Sequence, residues 1–424
     1  MLESFSSTAT SGLAASGTGA DDARSRKLQL LTFTTLYPSA VQPRHGIFVE
    51  TRLRHLIATG AVEARVVAPV PWFPFGATVF GRYAKFARTP RTEDRSGLLV
   101  HHPRYIAIPR IGVLGQPRSL AWAAAQKIAA MVAEGYEFDA IDAHYFFPDG
   151  VAAAYLAKRF GKPFVVTARG SDINLIAQSA RPRKMILDAA RTAGRLIAVS
   201  AALKRAMIEL GIEAERIVVL RNGVDLELFR PIPMSDARHR LGLGPGRLVA
   251  SVGNLVPEKG HDLVIRAIAA MHSVFGVIVG EGPDKRRLER LAIESGVGDR
   301  IRFLKVVPQD ELAILYSAID VLALGSVREG WPNVLLEAMA CGAPVVVTDV
   351  GGVREIVTNM DVGRIVGGRD SAMFAAAIEQ VITMPPDRTR IRRYAEGFGW
   401  EPVSLGQLDL FAELVNRNRE ETRV

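Results

Sequence analysis

Residues Ser326–Gly352 read SVREGWPNVLLEAMACGAPVVVTDVGG, and this stretch decides the fold. The apolar segment leading into it, Asp320–Leu324, has the continuity of a parallel strand buried on both faces and ends in a loop. A helix is expected next, with Pro332 in its first turn, where a missing N–H leaves no hydrogen bond unmade. Val334, Leu335, Leu336, Ala338, Met339 and Ala340 supply its apolar face. Gly342 stops the helix, and Pro344 opens the strand Val345–Thr348. Glu329 in the loop and Glu337 on the helix can both face a ligand lying across the helix N-terminus, where free N–H groups and the helix dipole favour phosphate. The plain alternative is a pair of solvated helix carboxylates.

The same alternation of apolar runs, turn residues and amphipathic segments extends from Lys27 to about residue 390, which predicts an α/β protein with parallel sheets covered on both faces. Strand Leu28–Thr35 leads through a loop to Gly46 and a helix from Ile47 to about Thr59; a glycine there lets backbone N–H groups approach a phosphate. Strand Phe138–Ala143 ends at His144, and strand ends are where open α/β sheets bind ligands. The loop after Phe164–Ala168 brings Arg169, Gly170, Ser171 and Asp172; a fixed cation there holds an acceptor phosphate or carboxylate, or merely pairs with Asp172. Strands Arg195–Ser200 and Arg216–Leu220 lead to Arg221-Asn222-Gly223-Val224-Asp225, and the proline-punctuated stretch Phe229–Pro233 is the expected linker. The second half restarts with strand Leu248–Val252 and a loop carrying Asn254 and Lys259. Gly280-Glu281-Gly282-Pro283 lacks the G-K-[ST] ending of a phosphate loop and the G-x-G-x-x-G of a dinucleotide fold, which argues against a Rossmann oxidoreductase. Adjacent glycines at Gly351-Gly352 let main-chain amides close on a ligand.

From Glu329 to Val346 the wording E-G-x-x-x-x-x-x-E-A-M-A-x-G-x-P-V-V resembles that of retaining glycosyltransferases of family 4 (glycosyl transferases group 1), cell-envelope and exopolysaccharide branch. The resemblance extends over nearly all of residues 28 to 415 and implies the GT-B fold: two doubly wound, Rossmann-like domains facing across a cleft. The expected organisation is a disordered tail over 1–26, an acceptor-binding domain over 27–228, a nucleotide-sugar domain over 229–399, and a last helix at about 400–420 packing back on the first domain. By the same resemblance Glu337 holds ribose hydroxyls, Glu329 and His144 lie beside the transferred sugar, and Lys259 neutralises the donor diphosphate. Gly46, Gly330, Pro332, Asn333, Val334, Gly351 and Gly352 complete the donor site, and Val307-Pro308 either cradles the base, as in relatives, or is a plain strand–helix turn. Two positions depart from the family: Arg169 replaces the His of T-x-H-G-S-D, and Asn254 replaces an Arg that usually shares the diphosphate with Lys259.

The net charge of +9 asks for an anionic partner. No recognition-helix or RNA-module signature is present, so sugar diphosphates and an anionic membrane leaflet suit it better than nucleic acid. Trp72, Phe73, Phe75, Phe80, Tyr83 and Phe86 lie among Arg82, Lys85, Arg88, Arg91, Arg95, Arg104, Arg110 and Arg118, which is either a lipid-facing surface or an insertion packed on its own domain. The single cysteine, Cys341, forms no internal disulfide, and no apolar run reaches bilayer length. The expected location is cytoplasmic, peripheral at the inner face of the membrane. The reading is an NDP-sugar transferase acting on a saccharide or lipid-linked saccharide, without cofactor or metal. A non-catalytic sugar-nucleotide-binding scaffold, or another GT-B enzyme such as an epimerase or phosphorylase, is the alternative.

Overall fold

The computed structural model describes residues 26–73, 75, 77, 79, 82–107 and 114–423; residues 1–25 of the expected tail, Phe80 and Arg110 lie outside them. The first half contributes ten strands: β1 (Leu28–Phe33), β2 (Val62–Val67), β3 (Val70–Pro71), β4 (Thr92–Arg95), β5 (Leu98–His101), β6 (Arg104–Tyr105), β7 (Ala140–His144), β8 (Phe164–Ala168), β9 (Arg195–Ala198) and β10 (Ile217–Val219). β3 and β6 pair with each other, and the remaining eight form one sheet in the order β10-β9-β8-β7-β1-β2-β5-β4. The second half adds β11 (Arg247–Val252), β12 (Val274–Val279), β13 (Ile301–Leu304), β14 (Val321–Leu324), β15 (Val345–Thr348) and β16 (Gly363–Val366), ordered β13-β12-β11-β14-β15-β16. This is the expected pair of doubly wound sheets.

Pairing is parallel throughout both sheets except at the β4–β5 edge. Central strands such as β7, β8, β14 and β15 are buried along their whole length, which explains their unbroken apolar character. Each Leu, Val or Ile taken fully from water there is worth about 1.5–3 kcal/mol.

Among the described residues of the irregular stretch after residue 70, Arg82–Arg88 is a helix and β4 is the antiparallel edge strand of the first sheet. Two arginines of that stretch turn inward. Arg95 pairs with Glu50 at 3.0 Å, tying β4 to the helix Ile47–Ala58, and Arg104 donates to the Thr89 carbonyl.

The chain crosses between halves twice. It leaves the first sheet through residues 220–233 and returns in the helix Glu401–Arg423. Leu410, Phe411, Leu414 and Val415 pack with Leu30, Leu56 and Val62 of the first half, and Arg195 pairs with Glu413 at 2.8 Å. The last helix therefore completes the first core, as expected.

Candidate active site

Strand order reverses at β1, between β2 and β7, and again at β11, between β12 and β14. Loops leaving such neighbours diverge, opening a crevice at the carboxyl ends of the strands. Gly46 follows β1 and His144 ends β7, while the loops after β11 and β14 carry Asn254, Lys259 and Glu329. Loops of the two halves meet across the cleft. A Cβ on Gly330 would lie 2.3 Å from the Arg169 carbonyl, and one on Gly352 would lie 3.0 Å from Ser200 Cβ, so only bare backbone allows this approach.

In the second half, Glu329 is 7% exposed, and its Oε1 accepts from Lys259 Nζ at 2.6 Å and from Ser326 Oγ at 2.7 Å. Gly351, at φ 53°, lies against the Glu329 carbonyl, where a Cβ would come within 1.8 Å. The helix begins one residue later than expected, at Asn333; Pro332 precedes it, and its carbonyl accepts from Leu335 N. One turn on, Glu337 Oε2 accepts from the Tyr316 hydroxyl at 3.1 Å. Burial pushes the Glu337 carboxyl up to about 7, against the pull of Tyr316 and Arg44. A cavity of about 370 Å³ opens in front of it, lined among others by Arg44, Phe48, Gln309, Asn333, Val334 and Glu337. Asn254 is exposed, and its carbonyl accepts from His261 Nε2 at 3.2 Å.

The first half is arranged differently from expectation. His144 is 1% exposed and has a partner at each ring nitrogen. Arg169 NH2 lies 2.8 Å from Nδ1, so Nδ1 accepts; Nε2 then carries the proton and donates to Asp142 Oδ2 at 3.2 Å. Burial keeps the ring below its ordinary pKa. In this arrangement the His144 ring is held between Arg169 and Asp142. Asp172 is fully buried and accepts from the amides of Phe146, Arg169 and Gly170 at 2.8, 3.1 and 2.8 Å, so its carboxylate fixes the loop. The ion pair between Arg169 and Asp172 does not form; the guanidinium instead reaches Asn222 Oδ1 at 3.0 Å and stacks 5.1 Å from the centre of the Phe48 ring.

Gly46, at φ 72°, precedes the helix Ile47–Ala58 and packs against the Leu36 carbonyl, so its missing Cβ serves the turn itself. Four contributors escaped the sequence reading. Arg44 and Tyr316 flank Glu337; Asn222 donates to Asn333 Oδ1 at 3.2 Å; and Glu355 reaches across to the first half. Glu355 accepts from Ala201 N, Ala202 N and Arg221 at 3.0, 2.9 and 2.8 Å, capping the helix Ala201–Glu209 from the opposite domain. Only Asn222 had a signal, the R-N-G-V-D wording around it.

Residues 54–228 match the family model described as Glycosyltransferase Family 4, and residues 236–398 match the one described as Glycosyl transferases group 1. A D-inositol 3-phosphate glycosyltransferase from Frankia alni is 35% identical over 319 residues, which cover 68% of this chain and 78% of that one. The putative teichuronic acid biosynthesis glycosyltransferase TuaC of Bacillus subtilis is 32% identical over 337 residues, covering 78% and 83%. Among solved structures, sucrose-phosphate synthase from Thermosynechococcus elongatus superposes with a TM-score of 0.77 at 21% identity, covering 92% of this chain and 100% of that chain. HepE of Anabaena in complex with UDP-glucose gives 0.68 at 21% identity, with the same coverage. These structures share the GT-B arrangement.

Proposed function

The chain belongs to glycosyltransferase family 4, a family of enzymes on the GT-B fold, and from that premise we propose that it moves a sugar from an NDP-sugar to a saccharide hydroxyl with retention at the anomeric carbon. The observation that carries this reading is the convergence of Lys259, Glu329, the helix start at Asn333 and the Gly351-Gly352 loop on one switch point.

In the proposed reaction the bond from the anomeric carbon to the diphosphate breaks, and one to the acceptor oxygen forms on the same face. The acceptor proton passes to the departing phosphate oxygen. Lys259 and the N–H groups at the start of the helix Asn333–Ala340 meet the charge that develops on the leaving group, and fixed charges and dipoles of this kind often do more than any other effect to lower such a barrier. Glu329, released from Lys259, lies beside the sugar; Glu337 takes the ribose hydroxyls in the cavity at its front. Asn254, being neutral, leaves Lys259 as the cation of its loop.

The HepE complexes with UDP and UDP-glucose support a nucleotide-sugar donor, and the teichuronic acid biosynthesis in the name of TuaC supports a polysaccharide acceptor, to which our proposal adds a lipid carrier. No helix among the described residues is long and apolar enough to cross a membrane. Trp72 at 57%, Phe75 at 56%, Ile106 at 64% and Trp122 at 63% exposure suit peripheral contact with an anionic leaflet.

A panel of UDP-, GDP- and ADP-sugars, scored by thermal shift and released nucleotide on the wild type and Glu337→Ala, tests the reading. One donor should stabilise the protein by about 2.7 kcal/mol at a hundredfold excess over Kd, with slow hydrolysis, and Glu337→Ala should lose both effects. Binding by none would refute it.

A further inference from the structure

Two guanidinium groups converge on a single neutral oxygen behind the cleft. Asn222 Oδ1 accepts from Arg169 NH1 at 3.0 Å and from Arg52 NH1 at 3.3 Å. Arg52 is 1% exposed, and its other acceptors are Gln407 Oε1 and the carbonyls of Leu220 and Arg221. The remaining guanidinium partner of Arg169 is the neutral His144. Every acceptor these two groups have among the described residues is therefore uncharged. Arg169 Nε and Arg52 NH2 are buried and bond to nothing, although buried donors are nearly always satisfied.

Two carboxylates, Asp142 and Asp172, act on these arginines from a distance, and neither hydrogen-bonds a guanidinium among the described residues. Asp142 is the one carboxylate with an electrostatic claim on both arginines, and it is in contact with His144 while its Oδ1 has no partner. Asp172 also acts on Arg169, but its oxygens are taken by backbone amides. Burial and mutual repulsion draw Arg169 down to about 9, and burial draws Arg52 down to about 10, so both remain protonated at neutral pH. Buried guanidiniums with open donors and no carboxylate in hydrogen-bond contact are suited to an oxyanion that a ligand brings.

The arginine cluster adjoins the cleft. The Arg169 carbonyl abuts Gly330, next to Glu329, and Phe48 and Asn333 border both the arginine cluster and the cavity in front of Glu337. We infer that one of the two saccharide substrates carries an anionic group, a carboxylate or phosphate, that docks on the Arg169 guanidinium, with Arg52 as a second positive charge behind it. A planar fork suits either oxyanion. This inference rests on the transferase reading above and names the class of sugar that it handles.

The test uses the full chain as wild type, Arg169→Gln and Arg169→Lys. In the donor arm, released UDP is followed with UDP-glucose against UDP-glucuronate; in the acceptor arm, transfer from the better donor is followed to octyl glucoside against octyl glucuronide and glucose 6-phosphate. In one arm, kcat/KM of the wild type should favour the anionic member by about tenfold to a hundredfold, the range of a charged hydrogen bond. Arg169→Lys should keep part of that ratio, and Arg169→Gln should bring it close to one. The arm that responds assigns the anion to donor or acceptor. A wild-type ratio near one in both arms overturns the inference, even if Arg169→Gln fails to fold, as does a preference that survives in a folded Arg169→Gln. Binding of UDP and turnover of neutral sugars in that outcome would leave the transferase reading standing; failure to bind any nucleotide sugar would overturn both.

Discussion

Lys259 Nζ lies 2.6 Å from Glu329 Oε1, so without ligand the cation assigned to the diphosphate is already held by the carboxylate assigned to the sugar. Glu329 is nearly buried and Ser326 shares the same oxygen, which makes the pair a competitor for any incoming phosphate. Donor binding must exchange one anion for another at Lys259.

Glu329→Gln relaxes that competition. UDP is expected to bind several-fold more tightly to this variant, while transfer slows on the order of a hundredfold because the charge beside the sugar is gone. Calorimetry with UDP and steady-state turnover separate the two effects. Unchanged UDP affinity would show that Lys259 does not meet the diphosphate.

Glu337 should make donor binding and stability respond to pH in opposite senses. Its folded pKa of about 7 stands above the ordinary 4.5, so its contribution to stability is complete below about 4.5 and is lost as pH rises through about 7. Ribose hydroxyls need the ionised carboxylate as acceptor, so UDP affinity should rise over that window. Asp149, also raised to about 7, titrates alongside it, and the difference between wild type and Glu337→Gln isolates Glu337. Thermal unfolding and UDP titrations across the window, on both proteins, check the sign.

Glu355 should behave oppositely. Burial tends to raise its pKa, but the Ala201 and Ala202 amides and Arg221 outweigh this and hold it below 4.5. Its stabilisation is therefore present above about 4.5 and lost as pH falls through the lower folded value. Glu355→Gln is expected to lower unfolding free energy by about 1–3 kcal/mol near neutrality, read by urea denaturation.

Gly330→Ala tests the approach of the two domains. The added Cβ would meet the Arg169 carbonyl at 2.3 Å, so the cleft must widen. Transfer should fall at least tenfold, a displacement of about 1 Å being enough for such losses, with little change in the melting temperature. Small-angle scattering should show a larger radius than the wild type.

The architecture was legible because its signals are local. Val345–Thr348 reads as a buried strand from composition alone, Gly342 stops the helix before it where the sequence says, and Glu337 falls one turn past Asn333 by the helix repeat. Contacts formed between distant segments were not legible. Nothing in the spacing of Lys259 and Glu329 announces their ion pair, nor that Arg169 would choose His144 and Asn222 over Asp172 three residues away. The arginines after residue 70 were ambiguous for a related reason: composition records their charge, but not that Arg95 would find Glu50 and Arg104 a carbonyl inside the fold.

The return of the helix Glu401–Arg423 to the first sheet has a consequence for biosynthesis. While the chain is still on the ribosome, Leu30, Leu56 and Val62 have no Phe411 or Leu414 to cover them. The first domain to be made is thus the last to be finished, and its exposed apolar face must persist until the second domain has been translated. A premature stop shortly before residue 410 would damage the amino-terminal half of the enzyme more than the half in which it falls.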